Sequence, residues 1–336
     1  MKIVTYIHHH QYGCDKRLGI LIDDHKILDP NLVFACDFER EGRFNPRERA
    51  DIYCPASLNK LLRTRDNPHE ILKEAWGLML FLEKCGDMQL QDGTDYIIDL
   101  KDNVRLTTPL DKIETYRDFF AHEKHVATGF KKRNEPIPEA WYELPVYYKG
   151  ATAGFIGPNE EILWPSYTDV LDYELELGMV IGLDGKNIKE KFAHNHIFGF
   201  TILNDISARD IQRKEMTVRL GPAKAKDFCS VIGPVIVTPD ELNTYEPNLL
   251  MTAKINGIEW SRGMSGDSHF SWVEMIVHAA KEEWLLAGDF FGSGTVGTGC
   301  GLELDKWIQA GDIVELEIEK IGKLTNLVGN KRNGKF

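Results

Sequence analysis

The sequence predicts a predominantly β protein with some α-structure, and three observations support this expectation. Its 336 residues are enough for about two domains. Residues 1–110 mix strand and helix patterns, whereas residues 111–336 repeat short runs rich in valine and isoleucine with turn residues between them. Asn256-Gly257 lies between two of those runs and is typical of a tight β-hairpin turn. We therefore expect a small α+β N-terminal domain at 1–110 and a larger, mainly β domain at 111–336.

In the N-terminal domain, residues 2–7 and 18–22 read as strands, because apolar and polar side chains alternate there. A helix is expected further on, since Asn67 is a favourable N-cap and Pro68 suits the first helical position. The apolar run that follows would carry this helix to Gly86, a residue type that commonly ends helices.

The larger domain should consist mainly of strands, with two helices near residues 117–130 and 271–287. Residues 329–336 look like a frayed basic tail. The predicted strands cover residues 173–182, 197–204, 231–237, 250–255 and 313–318.

Composition and charge narrow the classes of function. The chain has 40 basic and 52 acidic residues, and its net charge of −12 disfavours nucleic acid or an anionic membrane as a partner. No apolar run approaches the ~20 residues that span a bilayer, and the N-terminus lacks the apolar core of a signal peptide. Six cysteines lie far apart without a CxxC pair, which favours reduced thiols in a cytoplasmic protein.

Three acidic residues alternate along the first predicted strand of the larger domain. Asp172, Glu174 and Glu176 would share one strand face, with no lysine or arginine between them. Such a face is often simply solvated. Here the strand runs into an apolar segment, however, and buried carboxylates suit a hard cation such as Mg²⁺ or Ca²⁺. A metal site and a solvated face are both compatible with this segment alone.

Another acid follows the apolar strand at 197–204. Asp205 lies where it could complete a metal site begun on a neighbouring strand, but Asn, Asp and Ser residues also cap turns. Asp210, paired with Arg209, looks structural. Further along, Lys224 and Lys226 lie in a predicted turn and could supply positive charge to an anionic substrate.

A polar stripe is expected on the helix near residues 117–130. Asp118, His122 and His125 are spaced i, i+4 and i+7, so a helix would present them on one face. This arrangement suits a metal ligand beside a general base, and it equally suits a solvated polar face.

The glycine-rich segment 292–301 contains a literal GxGxxG pattern. We expect it to follow a helix and to lead into a strand at 302–304, which is the wrong context for a dinucleotide site. The sequence therefore argues against NAD binding. The loop could instead offer backbone N–H groups to a carboxylate, with the Thr295 hydroxyl as a further donor.

Taken together, these segments resemble the fumarylacetoacetate hydrolase family in its larger, two-domain form. The resemblance covers residues 110 to about 330 and implies a mixed β-sandwich roll for the second domain and a homodimer. The matching segments are Asp118 with His125, Tyr173-Glu-Leu-Glu176-Leu-Gly, Asn204-Asp-Ile-Ser-Ala-Arg-Asp-Ile-Gln212, Gly221-Pro-Ala-Lys-Ala-Lys226-Asp-Phe, Gly292-Ser-Gly-Thr295-Val-Gly and Leu324-Thr-Asn-Leu-Val.

The resemblance also implies roles for individual residues. Asp118, Glu174, Glu176 and Asp205 would hold a divalent cation, Mg²⁺ or alternatively Ca²⁺ or Mn²⁺. His125 would be the general base, with Glu303 orienting it. The remaining implied roles are leaving-group contacts for Lys226 and Gln212, a substrate carboxylate contact for Thr295, and substrate contacts for Tyr148 and, at a position where the family has a tyrosine, Phe120.

The implied reaction is metal-dependent hydrolysis of a C–C bond in a small 2,4-dioxo acid, with His125 activating the attacking water. The alternative is a lyase of the same family, namely a 2-oxo acid decarboxylase, dehydratase or isomerase acting through a metal-bound enolate. Phe120 and Met216 stand where fumarylacetoacetate-cleaving members have substrate tyrosines, and Arg133 lies one place away from the family's substrate arginine. These departures concern the substrate rather than the metal or the base.

Overall fold

A computed structural model describes residues 1–10, 13–64, 67–101 and 104–333. Its helices are α1 (Pro30–Arg40), α2 (Pro46–Tyr53), α3 (Leu58–Thr64), α4 (Pro68–Cys85), α5 (Glu123–Lys132), α6 (Glu139–Glu143), α7 (Glu190–Ala193), α8 (Arg209–Thr217), α9 (Pro239–Leu242), α10 (Trp272–Ala279) and α11 (Gly301–Leu304). Its strands are β1 (Lys2–His10), β2 (Gly13–Leu21), β3 (Lys26–Leu28), β4 (Ile97–Asp99), β5 (Val104–Leu106), β6 (Tyr116–Phe119), β7 (Tyr147–Gly150), β8 (Phe155–Ile156), β9 (Ile162–Trp164), β10 (Leu171–Asp172), β11 (Leu175–Ile181), β12 (Gly185–Lys186), β13 (Ile197–Asn204), β14 (Ser207–Ala208), β15 (Ser230–Val237), β16 (Leu250–Ile255), β17 (Ile258–Met264), β18 (Trp284–Leu285), β19 (Phe290–Gly292), β20 (Ile313–Ile318) and β21 (Gly322–Lys331).

One large sheet runs through both halves of the chain. Its strand order is β4-β3-β2-β1-β15-β13-β11-β19-β6-β7, with β5 beside β1 and β8 beside β15. The N-terminal strands join it where β1 pairs with β15 in antiparallel register, Lys2 facing Val237. The sheet is therefore continuous across residue 110, and the division into domains at 1–110 and 111–336 stays a prediction.

A second sheet has the order β17-β16-β20-β21-β9. Its β16–β17 hairpin turns at Asn256 and Gly257, which both adopt positive φ angles of 52° and 77°, as the sequence predicts for this turn. Two-stranded ladders join β10 to β14 and β12 to β18. The expected fold class, a sheet-rich protein with some helix, is confirmed.

Apolar side chains from both halves share the buried interior. Leu32, Leu61 and Leu72 from the N-terminal helices belong to the same buried cluster as Phe198 and Phe290 from the large sheet. The helices therefore cover one face of the sheet. Helix α4 has the caps that the sequence predicts, with the Asn67 side chain accepting from the Glu70 N–H and Gly86 adopting a φ of 83°.

Three sequence-based expectations about local structure are corrected. Residues 117–130 do not form one helix, because Tyr116–Phe119 pairs as strand β6 beside β19 and the helix begins only at Glu123. The helix expected over 271–287 ends at Ala279, and Trp284–Leu285 pairs with β12. In the expected tail, residues 329–331 belong to β21, while residues 334–336 lie outside the described part of the chain.

Two further features concern the helices and the cysteines. Within the described ranges, no helix is both long and apolar enough to cross a membrane. All six cysteines are free thiols, in agreement with their wide spacing in the sequence.

Candidate metal centre and active site

Four buried carboxyl groups converge on the large sheet. Asp118 lies on β6, Glu176 lies on β11, Glu174 immediately precedes β11, and Asp205 immediately follows β13. Strands β11 and β13 are antiparallel, with Leu175 opposite Asn204, so the acids at the ends of these strands meet. One carboxylate oxygen from each of the four residues lies within 4.8 Å of the others. We call these four residues the carboxylate cluster.

Two buried cations contact one side of the cluster. The Lys226 Nζ atom is 2.6 Å from Glu174 Oε2 and also contacts Asp205. The Arg209 guanidinium donates to Glu174 Oε1 at 2.7 Å. Burial raises the pKa of Glu174, but Lys226 and Arg209 outweigh this effect and hold it at about 2. Glu174 is therefore ionised at neutral pH.

On the other side of the cluster, no cation among the described residues forms an ion pair with Asp118 or Glu176, since Lys226 pairs with Glu174 and Asp205. Burial and the Asp205 carboxylate raise the pKa of Asp118 well above its usual value, and burial and Asp118 do the same for Glu176. Asp118 Oδ1 is buried and has no hydrogen-bond partner among the described residues. A hard divalent cation takes oxygen ligands and would remove this repulsion, so the residues present fit such a metal. The ion's identity does not follow from the oxygen donors.

Glycine residues let the backbone approach the cluster closely. Gly292 on β19 lies between Asp118 and Gly178 in the sheet, and a Cβ atom there would be 2.4 Å from Asp118 Oδ1. The Gly294 N–H donates to Glu176 Oε2 at 3.0 Å, and the Thr295 hydroxyl donates to Glu176 Oε1 at 3.2 Å. This loop therefore positions a cluster carboxylate.

The expected context of the glycine-rich loop was wrong. It follows strand β19 and leads into α11, because Phe290–Gly292 completes the large sheet and residues 301–304 form one helical turn. Because the loop lies between a strand and a helix, its position in the chain is no argument against dinucleotide binding. The absence of NAD binding stays a prediction, now supported by the engagement of Gly294 and Thr295 with Glu176.

A histidine–glutamate pair lies beside the carboxylate cluster. His125 on α5 places its Nδ1 atom 2.7 Å from Glu303 Oε1 on α11, and both side chains are almost completely buried. The Glu303 carboxylate also accepts from the Thr298 N–H at 3.0 Å. A carboxylate oxygen accepts hydrogen bonds, so this contact favours the His125 tautomer that carries its proton on Nδ1 and leaves the Nε2 lone pair available.

The backbone connects this pair to the cluster. Cys300, the residue before α11, forms a β-bridge with Glu174. The Phe120 ring packs edge-on against the His125 ring, with centroids 5.4 Å apart. Cys300 thus brings His125 near Glu174 of the carboxylate cluster. The expected helix face shared by Asp118 and His125 is wrong, since Asp118 lies on a strand. His122 is the buried N-cap residue of α5, and the part of the chain that the structure describes offers its ring nitrogens no hydrogen-bond partner.

The structure places the other sequence-predicted residues close to these groups. The Tyr148 hydroxyl donates to Asp205 Oδ2 at 2.7 Å, and Thr295 is engaged with Glu176 as described. Gln212 on α8 accepts from Arg209 Nη1 at 2.9 Å. The substrate contacts expected for Phe120, Tyr148, Gln212 and Thr295, and the catalytic roles of His125, Glu303 and Lys226, stay predictions.

Asp172 and Arg209 have a role that sequence reasoning missed. Asp172 lies outside the carboxylate cluster, because the strand breaks between β10 and β11. Its carboxylate instead accepts from the Gly301 and Leu302 N–H groups and from Arg209 Nε, at 2.7, 2.9 and 2.7 Å. The expected Arg209–Asp210 pairing is wrong, since Asp210 contacts the Thr168 hydroxyl. The Asp172–Arg209 pair thus links Glu174 to the helix that carries Glu303.

Comparison with known proteins assigns the chain to a family. The family model described as fumarylacetoacetate (FAA) hydrolase C-terminal matches residues 114–329. The chain therefore belongs to the fumarylacetoacetate hydrolase family.

Two relatives of the chain are named as oxaloacetate tautomerases. The oxaloacetate tautomerase YisK of Bacillus subtilis is 29% identical over 317 residues, which cover 93% of this chain and 96% of the relative. The mitochondrial oxaloacetate tautomerase fahd2 of Xenopus laevis is 32% identical over 198 residues, covering 59% of this chain and 60% of the relative. Relatives of this chain thus include proteins named oxaloacetate tautomerase, and the match to YisK extends over nearly the whole chain.

A solved structure shares the fold along the whole chain. The fumarylacetoacetate hydrolase from psychrophilic Exiguobacterium antarcticum superposes with a TM-score of 0.68, at 23% identity, covering 99% of this chain and 100% of that one. At this identity the likeness concerns the fold alone, and it includes the residues before 110.

Proposed function

We propose that this protein is a metal-dependent isomerase that interconverts the keto and enol forms of a small 2-oxo acid of the oxaloacetate type. The observation that carries the proposal is the match to an oxaloacetate tautomerase over 93% of this chain and 96% of that relative. The carboxylate cluster supports it, because enolisation places negative charge on the oxygen atoms next to the reacting carbon. A divalent cation held by Asp118, Glu174, Glu176 and Asp205 would act as a Lewis acid toward those oxygens.

His125 would move the proton. With Nδ1–H donating to Glu303, Nε2 has the lone pair that can take the proton from C3 of the keto acid. The electrons of the C3–H bond then form the C2–C3 double bond, and the C2 oxygen takes up the negative charge. The imidazolium that results is stabilised by Glu303. Passing its proton to the C2 oxygen gives the neutral enol, and returning the proton to C3 gives back the keto form.

Lys226 would balance the developing charge. Burial lowers the pKa of Lys226, but Asp205 and Glu174 outweigh this effect and raise it, so the ammonium group stays charged at neutral pH. Burial and Asp205 raise the pKa of Tyr148 well above its usual value, so its phenol remains a hydrogen-bond donor. Both groups contact Asp205 and can donate to an oxyanion that lies beside it.

Hydrolysis of a C–C bond in a 2,4-dioxo acid is the second candidate. The His125–Glu303 pair favours it, because attack by water requires a buried, oriented base. In that reaction Nε2 would take a proton from water, whose oxygen attacks the distal carbonyl, and the C–C electron pair would leave on the carbon beside C2. The same residues serve both reactions, so the products must distinguish them.

A product assay tests the proposal. The protein is treated with EDTA, supplied with Mg²⁺, Mn²⁺ or Ca²⁺, and incubated separately with oxaloacetate, acetylpyruvate and fumarylacetoacetate, while NMR follows each species. We expect metal-dependent acceleration of keto–enol exchange of oxaloacetate without loss of carbon fragments. Metal-dependent release of acetate and pyruvate from acetylpyruvate, without acceleration for oxaloacetate, would replace the isomerase by the hydrolase.

We also propose a homodimer as the working form. Met216, Val218 and Leu220 follow one another near the end of α8 with 49%, 77% and 93% of their surface exposed. Apolar side chains that are exposed together are typical of interfaces. Sedimentation should give twice the mass of one chain, and replacing Val218 and Leu220 with serine should shift the mass toward one chain. A monomeric wild-type protein would contradict this.

A further inference from the structure

A second group of potential metal ligands consists of the His125–Glu303 pair together with Cys300. Cys300 Sγ is 4.0 Å from His125 Nδ1 and 3.7 Å from Glu303 Oε1, and the thiol is fully buried. The three side chains offer one nitrogen, one sulfur and one oxygen within 4.8 Å of one another. We call these three residues the thiol cluster.

The donors of the thiol cluster differ in chemistry from those of the carboxylate cluster. Zn²⁺ and similar softer ions prefer thiolate and imidazole, whereas Mg²⁺ and Ca²⁺ prefer oxygen. Ideal tetrahedral zinc would separate a nitrogen and an oxygen ligand by about 3.3 Å, and a sulfur and a nitrogen ligand by about 3.6 Å. The observed separations of 2.7 and 4.0 Å need shifts of about half an ångström to reach these values.

We propose that the thiol cluster is a binding site for Zn²⁺ or a similarly soft divalent cation, and that an ion bound there switches the enzyme off. Binding would form bonds from the metal to Cys300 Sγ, His125 Nδ1 and Glu303 Oε1. The thiol proton would leave to solvent, and the Nδ1 proton would move to Nε2. The remaining tetrahedral position would be open to water.

Loss of activity follows from the choice of nitrogen. Glu303 and Cys300 both lie on the Nδ1 side of the ring, so the metal would take the nitrogen that now donates to Glu303. The ring would then carry its proton on Nε2 and could no longer accept one from a substrate. This inhibitory part rests on the proposed function of His125, whereas the binding part does not.

Cadmium gives a direct optical test of binding. Full-length protein with its exposed cysteines replaced, Cys14→Ser and Cys85→Ser, is saturated with Mg²⁺ and titrated with Cd²⁺. We expect the ultraviolet absorption band of a Cd–thiolate bond at one equivalent. Adding Cys300→Ser should remove the band and weaken Cd²⁺ binding at least about tenfold, since even an outer-shell partner is worth that much. The matched control is Cys229→Ser, which replaces another fully buried cysteine and should keep the band.

Three results of the Cd²⁺ titration would overturn the proposed site. The proposal fails if the Mg²⁺-loaded protein gives no band, if the band survives Cys300→Ser, or if Cys229→Ser removes it. X-ray absorption at the zinc edge of the wild-type protein needs no substitution. It should show one sulfur at about 2.3 Å, and an all-oxygen environment would overturn the assignment.

Inhibition is measured separately. In excess Mg²⁺, one equivalent of Zn²⁺ should abolish most keto–enol exchange in the wild-type protein, and the Cys300→Ser variant should keep most of its own zinc-free rate. If Zn²⁺ binds with sulfur coordination but does not inhibit, the site stands and the role of His125 in the proposed function fails. If Zn²⁺ inhibits both proteins equally, the inhibitory role of the thiol cluster is wrong.

Discussion

The carboxylate cluster and the His125–Glu303 pair lie side by side but are built differently. The cluster is carried by β6, β11 and the end of β13, which are paired strands inside the large sheet. The pair is carried by α5 and by α11, a helix of only four residues preceded by a glycine-rich loop. Two of the four acids thus lie on strands of the large sheet and the other two lie next to strand ends, whereas the base and its partner lie on helices joined by a few hydrogen bonds.

This difference separates two parts of the chemistry. Stabilising negative charge next to a carbonyl is common to isomerisation, decarboxylation and C–C hydrolysis, and the carboxylate cluster can serve all three. The fate of the proton or the water depends on the base, so the His125–Glu303 pair selects the reaction. Changes to the cluster should therefore abolish every activity, whereas changes to the pair should affect reactions unequally.

Replacing Glu176 with glutamine should have the largest effect. The substitution keeps the shape but removes one of the four negative charges that a cation would neutralise, so we expect a loss of about 10³-fold or more in rate at low Mg²⁺. Metal affinity, measured by calorimetry, should fall together with activity. The control Glu259→Gln changes an exposed residue paired with Arg262 and should leave both values unchanged. Full activity of Glu176→Gln at low Mg²⁺ would contradict the assignment.

Replacing His125 with alanine should distinguish the role of the His125–Glu303 pair from that of the carboxylate cluster. Removing a general base typically costs 10²–10⁴-fold in rate, so we expect about 10²-fold or more for keto–enol exchange with nearly unchanged Mg²⁺ affinity. Decarboxylation of oxaloacetate, if present, requires no proton abstraction and should suffer much less. His25→Ala at an exposed position is the control. Equal loss of exchange and metal binding would make His125 part of the metal site.

Replacing Asp172 with asparagine should weaken the link between the two regions. Asp172 holds the N–H groups at the start of α11 and also Arg209, so its loss would loosen Glu303 and Glu174 together. We expect a rate loss of about 10–100-fold, as is typical for residues that orient a metal ligand. A change in the pH profile should accompany it. Asp169→Asn, an exposed residue paired with Lys331, is the matched control. An unaltered pH profile would assign Asp172 to stability alone.

Replacing Gly292 with alanine tests how tightly the sheet is packed at the cluster. The new Cβ would lie 2.4 Å from Asp118 Oδ1 and 2.7 Å from Leu203 Cδ2, so it must displace a cluster carboxylate. We expect a stability loss of about 1–3 kcal/mol and weaker Mg²⁺ binding. Gly77→Ala is the control, because α4 leaves open space there and alanine favours a helix. Unchanged Mg²⁺ affinity in Gly292→Ala would contradict the close approach.

The smallest expected effect is a dependence of metal stabilisation on pH. Burial and neighbouring carboxylates raise the pKa of Asp118 and Glu176, so the folded, metal-free protein holds protons that the unfolded chain loses above about pH 4. Its stability should therefore fall as pH rises, and Mg²⁺ should offset the fall. The increase in Tm on adding Mg²⁺ should grow by a few degrees from about pH 5 to about pH 8. An increase that shrinks over this range would contradict the assigned pKa directions.

The sequence predicts most of the carboxylate cluster, but it does not predict strand β6 or the contacts of Arg209. The alternation of Glu174 and Glu176 and the position of Asp205 at a strand end are local patterns with a period of two. Strand β6 has only four residues, and its state depends on parallel pairing with β19, which no local pattern reveals. The same holds for Arg209, whose partners Asp172 and Glu174 lie far away in the sequence. The signal available in the sequence was an arginine shortly after the predicted apolar strand at 197–204, in a chain with a second predicted strand that carries three acids.

The contact between His125 and Glu303 could not be predicted from the sequence for a different reason. The polar stripe in the sequence already indicates His125 as a candidate base, whereas Glu303 comes only from the resemblance to the family, and their spacing in the sequence does not predict a contact. The contact depends on the turn at Thr298, where φ is 64°, and on Gly301, where a Cβ would lie 2.0 Å from the Lys306 carbonyl oxygen. Such close packing is a property of the folded chain.

The most direct test of a metal-dependent isomerase is the rate at which enol oxaloacetate becomes the keto form. Stopped-flow absorbance of the enol is recorded with EDTA-treated protein and with increasing Mg²⁺. For the wild-type protein we expect a saturable acceleration that requires the metal. The acceleration should disappear in Glu176→Gln. In His125→Ala it should be lost as well, and added Mg²⁺ should not restore it. Acceleration that persists in EDTA, or none in any metal while acetylpyruvate is cleaved, would contradict the account.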